Sequence, residues 1–338
     1  MDYILGIETS CDDTGIAICK IENDKIFLVD EVLSSQIDIH KEYGGVVPEV
    51  ASRLHLKNLP ILFNEILNRN NLKPNDFSAI GVTEGPGLKG SLLMGVNFAK
   101  GLSFSLNKPL IGVHHIKAHI MASMLDNEEL NFPFLAIVVS GGHTEIVKVN
   151  SLNDMVVLTR TIDDAAGEAF DKSANLIGFE YPGGAALSKL ADSIDKDSEN
   201  FINFDLPKVM REAEGFSFSG LKTAISLLVK KFEDKLKDDY VKASLCYAIQ
   251  DSIVDAILYK TKKILKTSDF KNIVLAGGVA ANKCLRKRLG ELRNVKLYCP
   301  NFTHCQDNGA MVSYLAAKMF LEKKFIDLNA EVYPRWDI

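Results

Sequence analysis

Two gap-free self-matches and a regular alternation of strand and helix predict a duplicated α/β fold. LGIETSCDDTGIAI, starting at Leu5, superposes on LAIVVSGGHTEIVK, starting at Leu135, at an offset of 130. Ile7 falls on Ile137, Ser10 on Ser140 and Thr14 on Thr144. Further along, FSAIGVTEGPG from Phe77 pairs with FKNIVLAGGVA from Phe270, apolar position on apolar position, and a Gly-bearing turn closes each. Two matches in the same order imply one domain copied within the chain.

The elements follow in order. Tyr3 to Glu8, Thr14 to Ile21 and Ile26 to Gln36 read as a β-meander. Glu49 to Asn68 carries Val50, Leu54, Leu59, Leu62 and Ile66 at helical spacing. A strand ending in Gly-Pro-Gly, a helix from Ser91 to Ser103 and a strand from Pro109 to Val113 complete an α/β unit, and His114 opens a helix. The second half repeats the pattern around an interruption. Residues 179–239, with YPGGAAL and the charged DSIDKDSEN, break the rhythm and are expected to be an inserted segment of short helices and loops. Tyr240 to Lys266 is a long helix with Leu245, Ile249, Ile253 and Ile257 on one stripe. Val295 to His304 reads as strand and loop, and Asn308 to Phe320 as the last helix.

A chain of 338 residues is too long for one core, so two lobes are expected, 1–130 and 131–338, with the boundary in LDNEELNFP. At 47% hydrophobic and 25% charged the composition is that of a globular protein, and the net charge of -5 excludes a chain that coats nucleic acid by overall basicity. Six scattered cysteines without a CxxC pair argue against a disulfide framework and a thiolate zinc site. The N-terminus has no leader pattern, and no apolar run is long enough to span a bilayer. A cytoplasmic protein without membrane contact is expected.

Four turns could cradle anions: TSCDDTG, SGGHTE, LAGGVAAN and GPGLKG. Glycines let backbone N–H groups converge on a phosphate, and a helix opening after such a turn adds to the field. None is a Walker A loop, and no GxGxxG opens a first βα unit. Two of these turns facing each other would clamp a nucleotide in an interlobe cleft. Three of the seven histidines crowd into VHHIKAHI. His115 and His119 stand at i and i+4, where two imidazoles can share one metal ion. A third ligand must come from elsewhere; Asp307 in NFTHCQDNGAM is the candidate and His304 its rival. A His₂Asp set suits Fe(II), Mn(II) or Zn(II). By the logic of the repeat Glu8, Asp12 and Asp13 face the same cleft and are candidate catalytic carboxylates, one of them to take a proton or order a water; for Glu8, which ends the first strand, capping the next turn is the structural alternative. The run NKCLRKRLGELR places Lys283, Arg286, Lys287, Arg288 and Arg293 next to the Gly-Gly turn, and without interleaved aromatics it suits phosphates rather than bases.

GIETSCDDT, YGGVVPEVASRLH, GPGLKGSLLMG, HHIKAH, VVSGGHT, IDDAAGEAFDK, YPGG, FSFSGLKTA, LAGGVAAN and QDNGAM occur in this order. In them the chain closely resembles the tRNA N6-adenosine threonylcarbamoyltransferase family, essentially over its full length and in its bacterial form. The resemblance implies the actin-like ATPase-domain (ASKHA) fold with the ligand in the cleft between its lobes. It implies an acyltransferase that moves a threonylcarbamoyl group from threonylcarbamoyl-AMP to N6 of adenosine 37, in tRNAs reading codons that begin with A. It carries the metal ligands to His115, His119 and Asp307, with one divalent ion per subunit, Fe(2+) first and Zn(2+) or Mg(2+) as alternatives. It carries adenylate contacts to Val138, Val139, Ser140, Gly141, Gly142, Asp171, Gly184 and Asn282. Ser188 stands where the family carries an acidic residue that grips the ribose, and Gly309 where alanine is usual, a change expected to cost only a little helix propensity. The basic run then becomes the tRNA contact. The implied partners are tRNA, a paralogous actin-like subunit (TsaB) and a small P-loop ATPase (TsaE).

A third reading, from another class, is a non-catalytic scaffold that binds nucleotide and recruits partners, and two catalytic alternatives fit less well. A sugar or acyl-phosphate kinase of the same fold leaves the HxxxH pair without a task. A zinc peptidase needs a general-base Glu between the histidines, where this chain has Ile116, Lys117 and Ala118.

Overall fold

A computed structural model describes residues 1–207 and 214–338; residues 208–213, within the expected insertion, lie outside the described residues. The chain divides into two compact units, one of Met1–Leu130 with Pro300–Ile338 and the other of Asn131–Cys299.

In the first unit, β1 (Asp2–Glu8), β2 (Asp13–Glu22) and β3 (Lys25–Ser35) form an antiparallel meander. After α1 (Ile37–Lys41) and α2 (Pro48–Asn70), β4 (Phe77–Gly85), α3 (Lys89–Leu106) and β5 (Leu110–His114) add two parallel strands. The sheet order is β3-β2-β1-β4-β5. Leu5 and Ile7 of β1, Ile80 and Val82 of β4, Leu59 and Ile66 of α2 and Val96 of α3 build its core. Strands β1 and β4 read as nearly continuous apolar runs because helices cover both of their faces. The chain then enters α4 (His115–Leu125).

The second unit repeats this plan. β6 (Phe134–Val139), β7 (Thr144–Ser151) and β8 (Asp154–Arg160) form the meander. α5 (Ala166–Leu176), α6 (Gly184–Asp192), α7 (Ser219–Phe232) and α8 (Asp239–Lys266) follow. Then come β9 (Asn272–Ala276), α9 (Lys283–Gly290) and β10 (Lys296–Tyr298), giving the order β10-β9-β6-β7-β8. The strand registers carry the duplication to single residues. Ile7 pairs with Ile16 and Ile137 with Ile146, at the offset of 130. Leu5 pairs with Ile80 and Leu135 with Ile273, which matches the alignment of Phe77 with Phe270. No helix among the described residues is long and apolar enough to cross a membrane.

The assignment of 131–338 to one lobe is corrected. α10 (Gly309–Leu321) packs on β1 and β2 of the first unit. Ser313 Oγ donates to Ile4 O and accepts from Cys19 N, both at 2.8 Å, and Met311, Val312 and Leu315 are buried. Each such side chain contributes roughly 1.5–3 kcal/mol of burial. The approach is close enough that a Cβ on Gly6 would stand 2.2 Å from Ser313 N. Gly309 belongs to the same contact, because a Cβ there would lie 2.6 Å from the carbonyl carbon of Ile16. Glycine at 309 is therefore a packing requirement and not merely a small loss of helix propensity.

Candidate metal centre and nucleotide-binding groups

The first unit assembles the histidines at the end of β5. His114 closes the strand and caps α4, its Nδ1 accepting from Lys117 N at 3.4 Å, while its Nε2 lies 3.2 Å from Trp336 O. The next two histidines point elsewhere. His115 and His119, one turn apart and both buried, stand with ring centroids 4.7 Å apart and planes at 82°. Asp307 Oδ1 lies 3.0 Å from His119 Nε2 and 3.6 Å from His115 Nε2. Asp307 reaches them from a loop that is tied down twice. Asp126 at the end of α4 accepts from Asn301 N and Asn301 Nδ2, and Asn308 caps α10 through Met311 N while donating to Gln306 O. The rival ligand is ruled out of this cluster: His304 Nδ1 is bonded to Asp126 Oδ2 at 2.9 Å, an interaction that raises its pKa.

Glu8, at the end of β1, lies behind His115. Its carboxylate is fully buried, accepts from Ser10 N and from Thr83 Oγ1 at 2.7 Å, and stands 3.2 Å from His115 Nδ1. Burial pushes the Glu8 pKa up, but the facing His115 outweighs this and holds it below its ordinary value. Burial would lower His115 in turn; the carboxylates of Asp307 and Glu8 reverse that and raise it to about 9. A carboxylate only accepts, so Nδ1–H of His115 is donated to Glu8 and Nε2 is turned toward Asp307. That is the arrangement of an imidazole ligand with its supporting carboxylate.

The other candidate carboxylates flank the cluster without entering it. Burial pushes Asp13 up to about 7, with the charges of Asp307, Asp12 and Glu8 adding to the rise against a hydrogen bond from Ser35. Asp12 is half-buried, its carbonyl accepting from Gln36 N. Two carboxylates, Asp307 and Glu8, thus face the imidazole pair directly. The three ligand atoms lie within 4.8 Å of one another. Donors about 2.0–2.2 Å from a first-row ion stand roughly 3–3.5 Å from one another, close to the spacing that Asp307 already keeps from both imidazoles. The residues fit a divalent metal.

In the second unit, the SGGH turn joins β6 to β7. Ser140 N donates to His143 O at 2.8 Å and Ser140 Oγ accepts from His143 N, so the Ser140 amide is used within the turn. Gly141 and Gly142 are exposed, with nothing within 4 Å of a side chain's starting point. They are the members of this turn that can offer amides to an anion. Val138 and Val139 are wholly buried in β6, so their side chains serve the core. Asp171 Oδ1 accepts from Gly184 N at 2.7 Å, and burial raises its pKa against that bond. Asn282 caps α9 by accepting from Leu285 N at 2.8 Å and donates to Ser188 Oγ at 3.0 Å. A short 3-10 turn, Gly278–Ala281, separates the Gly-Gly turn from α9, which therefore begins later than the sequence suggests.

The basic run is only partly available. Lys283 and Lys287 are exposed one turn apart, and Arg293 is exposed beyond the helix. Arg286 Nε donates to Ala280 O. Arg288 is paired with Asp251 at 2.8 Å and Asp255 at 3.3 Å, both on α8, so it holds two helices together and is withdrawn from the expected tRNA surface. Sequence reasoning missed these aspartates, and it missed Ser10, Thr83 and Gln250. Gln250 had a legible signal: a polar residue beside Ile249, Ile253 and Val254 on the buried stripe of α8.

The family described as "TsaD: tRNA N6-adenosine threonylcarbamoyltransferase" matches residues 27–314. Relatives described as tRNA N6-adenosine threonylcarbamoyltransferase are 46% identical in Thermosipho africanus (strain TCF52B) and 45% identical in Thermosipho melanesiensis (strain DSM 12029 / CIP 104789 / BI429). Each match covers 99% of both chains. Among solved structures, T. kodakarensis HypF matches with a TM-score of 0.60 at 16% identity, over 96% of this chain and 48% of that one. Component A of the Acidaminococcus fermentans (R)-2-hydroxyglutaryl-CoA dehydratase matches at 0.56 and 17%, over 94% of this chain and 100% of that one. These structural likenesses are of fold, and the duplicated units have the actin-like ATPase-domain fold.

Proposed function

Because this chain belongs to the tRNA N6-adenosine threonylcarbamoyltransferase family, we propose that it transfers the threonylcarbamoyl group from threonylcarbamoyl-AMP to N6 of adenosine 37, in tRNAs reading codons that begin with A. The observation that carries the reading is the convergence of His115, His119 and Asp307 on one point, backed by Glu8. A kinase has no use for that cluster, and a peptidase would need a general base that α4 lacks.

The adenine amine is a weak nucleophile because its lone pair is delocalised into the ring. The barrier must therefore fall through polarising the carbamoyl carbonyl and stabilising AMP as it leaves. His115, His119 and Asp307 would hold the divalent ion, with Fe(2+) the first choice and Zn(2+) or Mg(2+) as alternatives. When bound, that ion supplies Lewis-acid polarisation of a carbonyl or phosphoryl oxygen. Glu8 keeps His115 in the ligating tautomer, a positioning role rather than a catalytic one. Asp13, with its pKa near 7, is the carboxylate suited to take the N6 proton. In the second unit, the Gly141 and Gly142 amides suit a phosphate. Asp171, Ser188 and Asn282 suit the nucleoside hydroxyls.

The exposed lysines of α9 give a small basic surface on a chain of net charge -5. Efficient tRNA binding therefore calls for partners, in this reading a paralogous actin-like subunit and a small P-loop ATPase, all working in the cytoplasm. The test is transfer in vitro, with this chain, both partners, threonylcarbamoyl-AMP and unmodified tRNA, read by mass spectrometry of the nucleosides. Threonylcarbamoylated adenosine should form with the wild type and not with His115→Ala. No product from the complete wild-type mixture overturns the assignment.

A further inference from the structure

Four polar side chains of the second unit form one directed hydrogen-bond chain, and one of them, Gln250, is 2% exposed. We propose that Gln250 is a positioning residue for the nucleoside subsite, locking the Asn282 carboxamide so that the Ser188 hydroxyl is left as a hydrogen-bond donor to the ligand. The inference rests on the reading that an adenylate binds this unit.

The direction of every bond follows from one fixed point. Leu285 N is a donor, so the atom of Asn282 that it meets at 2.8 Å is the oxygen. The two Nδ2 hydrogens of Asn282 then go to Gln250 Oε1 at 2.8 Å and Ser188 Oγ at 3.0 Å. Gln250 must therefore turn its Nε2 away, and that atom donates to Asp192 Oδ1 at 2.8 Å. A carboxylate at the far end accepts only, so the chain cannot run in reverse. Asn282 has spent both donors within the protein. Ser188 Oγ accepts from it, and among the described residues no acceptor takes the Ser188 hydrogen. That half-buried hydroxyl is poised to donate to an oxygen of the ribose or phosphate. A buried amide satisfied at both ends holds one orientation; remove it and one Asn282 Nδ2 hydrogen loses its partner, so the carboxamide is held only through Leu285 N and Ser188 and can tilt.

Titration calorimetry with AMP as the probe tests this through a double-mutant cycle. Ser188→Ala should weaken AMP binding by about fivefold, the loss of one hydrogen bond. Gln250→Leu should weaken it at least as much, although the buried Gln250 touches no ligand. Adding Ser188→Ala to Gln250→Leu should cost nothing further, because the hydroxyl is already misdirected. Should Gln250→Leu fail to fold, Gln250→Glu serves in its place: it sets a carboxylate against Asp192 and should weaken AMP binding. Combining Gln250→Glu with Asp192→Asn restores a donor–acceptor pair and should recover the affinity. Additive losses from Ser188 and Gln250, or AMP affinity indifferent to every Gln250 substitution, overturn the proposal. If the wild type itself does not bind AMP, the adenylate reading falls and takes the inference with it.

Discussion

The Glu8 carboxylate lies 3.2 Å from Nδ1 of His115, whose Nε2 faces Asp307 at 3.6 Å. One imidazole thus joins a carboxylate that orients it to a carboxylate that shares its ligand. Glu8→Gln preserves the shape but lets an amide N–H meet Nδ1, so the ligating tautomer is no longer enforced. Metal affinity, measured by chelator competition, should fall about 10–100-fold with the thermal midpoint little changed. Unchanged affinity would leave Glu8 a purely structural residue of the β1 turn.

The ligands themselves should behave as a set. The purified chain is expected to hold about one Fe or Zn per molecule, as a His₂Asp site can. Alanine at His115, His119 or Asp307 should abolish it, while alanine at His304 should not, since that ring is held by Asp126. Elemental analysis that finds full occupancy in the His115→Ala, His119→Ala double variant would remove the centre from this position.

The two faces of α9 should separate on charge reversal. Lys283→Glu with Lys287→Glu alters exposed residues, so tRNA binding should weaken and its salt slope fall by roughly two counterions. Arg288→Glu would instead face Asp251 and Asp255 with a third negative charge and should destabilise the unit, by roughly 1–2 kcal/mol at this half-exposed position. Filter binding at two salt concentrations, beside denaturant melts, reads both. Unaltered tRNA affinity in the double-lysine variant would make α9 a solvated face only.

Glu84 should make stability depend on pH. It is 4% exposed, and burial pushes its pKa from 4.5 to about 7, against the pull of Lys100. Between those values the folded protein keeps a proton that the unfolded chain has lost, so stability falls as pH rises through this window and levels off above it. The full effect is roughly 2–4 kcal/mol. Glu84→Gln removes the penalty, so its stability relative to wild type should be greater at pH 8 than at pH 4. Denaturant unfolding at the two pH values checks the sign; an equal difference at both contradicts it.

Much of this protein was legible in the chain alone, because its information is local or repeated. The offset of 130 survives as strand register, since side chains in a strand alternate with period two and a slip of one residue would turn the core outward. The i,i+4 spacing of His115 and His119 places two rings on one helix face wherever that helix packs. Which distant groups meet these residues is a different kind of fact. Only the tertiary structure decided that Asp307 rather than His304 completes the triad, because Asp126 captures the rival histidine. It decided that α10 belongs with the first unit, since shape at Gly6 and Gly309 and not sequence order selects the sheet it lies on. It also withdrew Arg288 from the basic surface and gave Asn282 its buried partner Gln250. Local periodicity determines which face a residue occupies, but a charge or an amide is committed by whatever the folded chain brings within 3 Å, and that depends on contacts far apart in sequence.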